Sequence, residues 1–519
     1  MSEPVLILGI NDRAALALVR YLGRRGIPVH IIHYRNERIT LSSKYVTKSY
    51  KVSSPALSVS KCLNEVYRII ESVSPYKIIP INDVWCTLSS FLKKPHINLV
   101  QLDLENYFLL SNKWKSLKYL ENLGLEVPDS HYIESESDLK SLRLNLSKYI
   151  IKPIYSARII NDRIIQTKVR SANSKQQLDS IVRECIKICP VIIQKRVSGK
   201  GFGINILARS GQIDMFGITE RLIEPKTGGA SSYRTNRNSF QDLRIITQKL
   251  VENLQVSGIF MIELKVGESA YYMEINFRPW GSINTQLNSG NNFFSFYYPD
   301  VFNKQKKVFQ ANLRMELERI LRFDRLDFKR GLIRVVRIIL GKEKYDEVAF
   351  DDYMPAFSVF KVVLNKTLSK IAGRFMWLGW SDLQILEIPE EDMIFVCNGN
   401  INRSAFAVNY LRHRLGIDVK SAGIIALEGR AIGKEYKRFG NYLVENHLSS
   451  HVDKYFDDYA RKYVVFDERQ VMYLLRKGVE SKRILRFSHN EIKDPYGLSK
   501  EEGDRIFESI ITVIDELRV

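Results

Sequence analysis

The chain opens on an apolar run, Val5–Gly9 (VLILG), followed by a helical spacing from Ala14 to Leu22 and a second apolar run, Val29–Ile32. This predicts a strand–helix–strand start, hence a parallel sheet. A third strand, Ile78–Ile81, ends at Asn82–Asp83, and a helix is predicted over 113–123 before Gly124. From there to about residue 300 short strands alternate with helices, an α+β pattern, and residues 301–380 read as basic amphipathic helices and connectors. Pro389 and the acidic trio Glu390, Glu391 and Asp392 mark a boundary, after which an α/β pattern restarts at Met393. The expected organisation is therefore an α/β domain over 1–105, a second domain over 106–300, a basic helical extension and linker over 301–389, and a last domain over 390–519.

Composition agrees with this multidomain α/β and α+β reading. With 519 residues, 45% hydrophobic and 26% charged, the chain is long enough for about three soluble units. Neither a signal-peptide pattern nor an apolar run of spanning length is seen. Five cysteines (62, 86, 185, 189 and 397) fit a reducing compartment, so a cytoplasmic protein is expected. The net charge of +20 lies entirely upstream of residue 390, because 390–519 holds 21 basic and 21 acidic residues. Residues 301–345 alone carry 13 basic and 5 acidic groups, a field that favours anionic partners. No nucleic-acid motif accompanies it, so nucleic acid is not an expected partner. Residues 329–340, with Arg330, Arg334 and Arg337 near one face, read first as a packed helix. Peripheral contact with an anionic membrane face is the alternative. A nicotinamide role is disfavoured, since Gly9 stands alone where a dinucleotide fingerprint needs three glycines.

The segment Met393–Ala405 reads MIFVCNGNINRSA. A buried-strand run ends at Cys397, and a helix follows with Ala407, Leu411 and Leu415 on one face, stopped by Gly416. A loop between strand and helix N-terminus turns backbone N–H groups inward as an anion nest and favours a thiolate. Arg403 can grip two phosphoryl oxygens, and Ser404 can hydrogen-bond the sulfur. Asp494, held extended by Pro495, is the candidate proton donor and acceptor. C-N-G-N-I-N-R-S with a late D-P-Y resembles the low-molecular-weight protein tyrosine phosphatase family across 390–519, as do Ser421-Ala-Gly423 and the closing helix after Glu501. The resemblance implies Cys397 as nucleophile, Arg403 as phosphate clamp, Asn398, Gly399, Asn400, Ile401 and Asn402 as phosphate loop, Asn400 and Ser404 as its supports, and Asp494 as acid/base. Asn402, Ala405, Leu427 and Phe466 depart from that family's usual cysteine, proline, aromatic and methionine.

Upstream, Tyr271–Ser282 reads YYMEINFRPWGS. Alternation of Met273, Ile275 and Phe277 places Glu274 and Asn276 on one strand face, and Glu263 falls on a neighbouring strand, Phe260–Leu264. These hard oxygen ligands suit Mg²⁺. Lys113, Lys152 and Arg278 can neutralise phosphates, and Gln194 to Val197 (QKRV), including Lys195, offers an adenine edge. In this order the motifs resemble the ATP-grasp ligases over roughly 1–300, with Thr227–Ser231 similar to a substrate-side loop of the carbamoyl-phosphate-synthase-like branch. The resemblance implies Glu263, Glu274 and Asn276 as Mg²⁺ ligands, and Lys113, Lys152, Gln194, Lys195, Val197 and Arg278 as ATP-binding. The segment after Lys152 lacks the glycines expected of a phosphate-covering flap, leaving closure to side chains such as Arg158.

The two resemblances together imply a bifunctional enzyme using ATP and Mg²⁺. One half would join a small-molecule carboxylate to an amine, and the other would hydrolyse a phosphomonoester or phosphoprotein. The alternative is a protein phosphatase regulated by a non-catalytic ATP-binding domain.

Overall fold

The computed structural model describes residues 3–517, except 11–12, 36–37, 93–96, 101–103, 142–148, 173, 225–230, 238–240, 300–304, 321–332, 335, 338–339, 341–342, 376–379, 391, 428, 440–446 and 457–460. The chain forms two compact units, Met1–Phe360 and Lys361–Val519.

The upstream unit begins with the expected parallel sheet. Strands β1 (Val5–Leu8), β2 (Val29–His33), β3 (Val46–Lys51) and β4 (Lys77–Pro80) pair in the order β3-β2-β1-β4. All four side chains of β1 are buried, as a strand covered on both faces requires. Helix Val59–Val73 packs beneath it through Val59, Cys62, Val66 and Ile70. Its start is fixed by Ser58, whose hydroxyl accepts from Lys61 N–H, a cap worth about 1 kcal/mol. At Gly9 (φ +94°) a Cβ would lie 2.3 Å from Trp85 Cδ1.

A second sheet, order β5-β10-β6-β9, contains β5 (Ser130–Ile133), β6 (Tyr149–Pro153), β9 (Arg170–Ser171) and β10 (Val191–Lys195). Between β6 and β9 runs a hairpin, β7 (Ala157–Ile160) and β8 (Arg163–Gln166). A third, seven-stranded sheet takes the order β15-β14-β11-β12-β13-β16-β17. Its strands are β11 (Lys200–Arg209), β12 (Gln212–Ile223), β13 (Tyr233–Arg237), β14 (Gly258–Val266), β15 (Ala270–Asn276), β16 (Phe309–Ala311) and β17 (Lys344–Tyr345). Residues 301–389 are thus not purely helical, because β16 and β17 complete this sheet. Their charges explain the placement. Arg334 binds Glu316 at 2.5 Å and lies over the Tyr233 ring, so this cation of 329–340 is packed against the sheet. Arg330 lies outside the described residues.

Residues 346–352 fold back onto the first helix, Ala14–Gly23. Buried Arg20 donates through Nε to Asp352 Oδ2 at 2.8 Å and through its other nitrogens to the carbonyls of Asp346, Glu347 and Asp352.

The hairpin tip is anchored as well. Asp162 accepts from Ser58 Oγ (2.7 Å), Ser60 N (2.9 Å) and Ser60 Oγ (2.5 Å), and its own carbonyl receives Val59 N–H. The hydroxyl and amide donors hold the Asp162 carboxyl below its ordinary range. That lowered pKa means the anchor is present above about pH 4 and is lost as pH falls through the folded value. Asp162→Ala should raise hydrogen exchange in 157–166 at neutral pH to the level the native hairpin reaches only in acid. Unchanged protection would show that the tip is held by its backbone alone.

The downstream unit carries a wholly parallel five-stranded sheet, order β18-β22-β21-β19-β20. It contains β18 (Gln384–Ile385), β19 (Ile394–Cys397), β20 (Lys420–Gly423), β21 (Tyr463–Val465) and β22 (Ile484–Arg486). Helices Arg403–Leu415 and Lys500–Asp515 contribute Phe406, Leu411, Phe507, Ile510 and Ile514 to one core cluster with Phe395 of β19.

Among the described residues, no helix is long and apolar enough to cross a membrane.

Candidate functional site

Downstream, β19 ends at Cys397, and the chain turns into helix Arg403–Leu415 at Arg403. The turn depends on Asn400, which adopts a left-handed conformation (φ +54°) that asparagine tolerates better than most residues. Asn400 N–H then points at Cys397 Sγ, 3.2 Å away, and Ser404 Oγ donates to the same sulfur at 3.0 Å. The Asn400 side-chain amide reaches Ser404 Oγ and Ser421 Oγ at 3.0 and 2.8 Å, tying the loop to β20. Gly423 is required behind it, because a Cβ there would sit 2.5 Å from the Asn398 carbonyl oxygen.

Arg403 is fully buried. Its Nη1 donates to Asp467 (2.8 Å) and to the Ile492 carbonyl (2.5 Å), and its Nη2 donates to Asp494 (2.9 Å). Burial alone would lower its pKa, but Cys397, Asp494 and Asp467 outweigh that and raise it. Nε is buried with no protein partner. A buried guanidinium donor left without a partner, in a cluster with Cys397 and the Asn400 N–H, suits an anion. Asn398 Nδ2 also donates to Asp494 Oδ2 (3.1 Å), so the loop, the arginine and the late aspartate meet. Gly399 and Ile401 lie in the same loop, and Asn402 is buried with its amide 3.4 Å from Glu435. The cluster expected from the sequence is brought together.

Asp467 and Gln470 were not among the expected site residues. Asp467 caps helix Glu468–Arg476 in a reciprocal box with Gln470, whose Nε2 donates to Asn398 Oδ1. The D-x-x-Q spacing before an amphipathic helix was the available signal. Leu427 is 67% exposed, too open to serve as one wall of a closed pocket.

Upstream, Glu263 and Glu274 oppose each other in register across β14 and β15. The Asn276 amide lies 3.5 and 3.4 Å from their carboxylate oxygens. Lys152 ends inside the fold at 6% exposure; burial lowers its pKa, and Glu274 and Glu263 oppose that. Lys113, at the first turn of helix Lys113–Asn122 behind the Asn112 cap, donates to Ser156 Oγ at 2.8 Å. Burial pushes the Glu274 carboxyl up, but Lys113 and Lys152 outweigh it and hold the pKa below the usual value. Glu263 is also gripped by Arg221 at 2.7 Å, a cation the sequence reading missed.

Arg278 lies beside the cluster, its Nη2 3.5 Å from Asn276 Oδ1. Its Nε donates to Asp83 at 2.8 Å, the first residue of helix Asp83–Ser89. Gln194 is buried, donates to Ser130 Oγ and leaves its Oε1 without a protein partner, while Lys195 is exposed and Val197 partly buried. Arg158, expected to help closure, instead donates to the Ile188 carbonyl. Of the substrate-side loop Thr227–Ser231, only Ser231 lies within the described residues, and it is buried.

The carboxylates of Glu263 and Glu274, with Asn276 beside them and the buried Lys113 and Lys152 nearby, would suit a divalent cation, which would supply charge neutralisation there. The open Gln194 Oε1 fits an exocyclic amine.

Residues 110–282 match the family model of the ATP-grasp domain. An uncharacterized protein of Methanocaldococcus jannaschii is 24% identical over 222 residues, 41% of this chain and 53% of its own. The carbamoyl phosphate synthase large chain of Pyrococcus furiosus is 22% identical over 296 residues, 54% of this chain and 26% of that protein. The chain thus spans about half of the first relative and a quarter of the second. A biotin carboxylase complex from Campylobacter jejuni aligns with 14% identity and a TM-score of 0.46, over 59% of this chain and 74% of that one. The upstream unit carries an ATP-grasp domain, and such domains use ATP with Mg²⁺.

Proposed function

We propose that the chain is a bifunctional enzyme, an ATP-dependent carboxylate–amine ligase followed by a phosphocysteine-dependent phosphomonoesterase. The single observation that carries the ligase half is the opposed pair Glu263 and Glu274, with Asn276 beside them and Lys113 and Lys152 behind. In this reading the substrate carboxylate oxygen attacks the terminal phosphorus of ATP. The bond to the bridging oxygen breaks, ADP leaves, and an acyl phosphate forms. An amine then attacks the acyl carbon, loses a proton to solvent or a base, and expels phosphate. Lys113 and Lys152 hold the transferred group's oxygens, and Mg²⁺ supplies charge neutralisation when bound to Glu263, Glu274 and Asn276. Arg278, bonded to Asp83 and 3.5 Å from Asn276 Oδ1, is read as a further phosphate-binding cation.

For the downstream unit, the reading rests on Cys397 Sγ lying within 3.0–3.2 Å of Ser404 Oγ and Asn400 N, with Arg403 bonded to Asp494. The thiolate attacks phosphorus, the S–P bond forms, and the ester P–O bond breaks as the Asp494 proton passes to the departing oxygen. Water then attacks the phosphocysteine and gives its proton to Asp494. The S–P bond breaks and phosphate leaves. The substrate is a phosphomonoester, a small molecule or a phosphoprotein. Neither nucleic acid nor a membrane is needed by this chemistry.

The test is an ADP-release screen of the full chain with MgATP against pooled carboxylates and amines, followed by mass spectrometry. ADP formed only when acid and amine are both present is the expected result. ATP binding without ADP release in any pool would overturn the ligase half and leave a nucleotide-regulated phosphatase.

A further inference from the structure

A cavity of about 260 Å³ lies beside the carboxylate pair, bounded by the edge strand β15, helices Asp83–Ser89 and Leu104–Ser111, and the hairpin β7–β8. Lys113, Glu274 and Asn276 line one part of it, the same residues that frame the terminal phosphate in the ligase reading. Phe91, Tyr107 and Phe108 line another. Phe91 and Phe108 are 52% and 46% exposed, so part of each ring is open to a ligand.

We propose that this cavity receives the acid to be activated, and that the acid carries an aromatic ring. The inference rests on the ligase reading and adds the substrate class. An acid whose oxygen attacks the terminal phosphorus has to place its carboxylate at the Lys113 end. The rest of the molecule then extends toward the three aromatic rings. An apolar cavity of about 150 Å³ suffices for benzene, so 260 Å³ leaves roughly 110 Å³ for a carboxylate and a short linker. Aromatic walls favour a ring over an alkyl chain of equal size, through offset and edge-on packing. Charge points the same way. Asp83, which also lines the cavity, is held by Arg278, and the Tyr107 hydroxyl is within 3.2 Å of Thr87 Oγ1. A cationic group at the aromatic end would therefore find the Asp83 carboxylate already engaged.

The experiment titrates the full chain, loaded with Mg²⁺ and the non-hydrolysable β,γ-imido analogue of ATP, with 3-phenylpropanoate, acetate and 3-phenylpropanamide. The ring-bearing acid should bind at least tenfold more tightly than either of the others. Phe108→Ser should weaken it at least fivefold while leaving affinity for the nucleotide analogue unchanged, and Phe91→Ser provides a second exposed position. Equal affinity for the two acids, or no loss in either variant, would overturn the assignment. A parallel incubation with ATP and hydroxylamine, which converts an acyl phosphate to a hydroxamate, separates the two readings. Selective binding without hydroxamate or ADP overturns the ligase reading while the cavity stands as a site for aromatic acids. Hydroxamate formed equally from acetate and 3-phenylpropanoate keeps the ligase and removes the ring preference.

Discussion

Cys397→Ser is expected to lower hydrolysis of p-nitrophenyl phosphate by about 10⁴-fold or more, since removing a nucleophile abolishes most of the turnover it supports. The substitution is nearly isosteric, so the loop should persist. What disappears is the sulfur nucleophile. A serine oxygen flanked by the Asn400 N–H and Ser404 Oγ is a far weaker attacking group on phosphorus. Asp494→Asn should cost about 10²–10⁴-fold through loss of proton transfer, and phosphate or vanadate should still bind. ADP release by the upstream unit is the internal control and should not change. Steady-state rates with both variants decide the matter. Activity within tenfold of the native chain for Cys397→Ser would end the phosphocysteine proposal.

The second large effect is expected at Glu274. Glu274→Gln should reduce ADP release by roughly 10²–10³-fold, the scale seen when one preorganised electrostatic group at a reacting centre is lost. Its carboxylate is wedged between Lys113 and Lys152, so the substitution also leaves two buried ammonium groups with less compensation. The pH dependence has a definite sign. Because the folded pKa is depressed, the stabilisation is fully present above the ordinary carboxylate value and is lost as pH falls through the folded one. Thermal melts of the native chain between pH 6 and pH 3 should therefore fall more steeply below about pH 4.5 than those of Glu274→Gln. Parallel curves, or ADP release near the native rate, would show that Glu274 does not carry the load assigned to it.

Much of the architecture was legible before any coordinates. The run VLIL, buried on both faces, is a local signal that tertiary packing reinforces, whereas the alternation in YYMEIN holds only from Glu274 onward because a bulge at Met273 breaks it. The loop from Cys397 to Arg403 was legible for the same reason, since its chemistry is compressed into seven consecutive residues. Long-range pairings were not legible. Asp83 and Arg278 stand 195 positions apart, and Arg403 and Asp467 stand 64 apart, so no periodicity or spacing links them. The basic stretch 301–345 reads as amphipathic helices and connectors, with no sign of a strand. Its arginines suit an amphipathic helix, yet the two short strands in it, β16 of three residues and β17 of two, are too brief to set a period-2 pattern. The glycine-poor hairpin was flagged as a departure. Its anchoring by Asp162 depends on serines about a hundred residues earlier.

The return of residues 346–352 to the first helix sets a practical limit on dissecting the protein. A shortened chain ending near residue 300 would keep Arg20 but delete the carboxylate and the three carbonyls that satisfy its guanidinium. Stranding a buried cation in this way costs about 3–5 kcal/mol, a large share of the stability of an ordinary domain. The excised piece would be prone to aggregate, although it keeps Lys113, Lys152, Gln194, Glu263, Glu274 and Asn276.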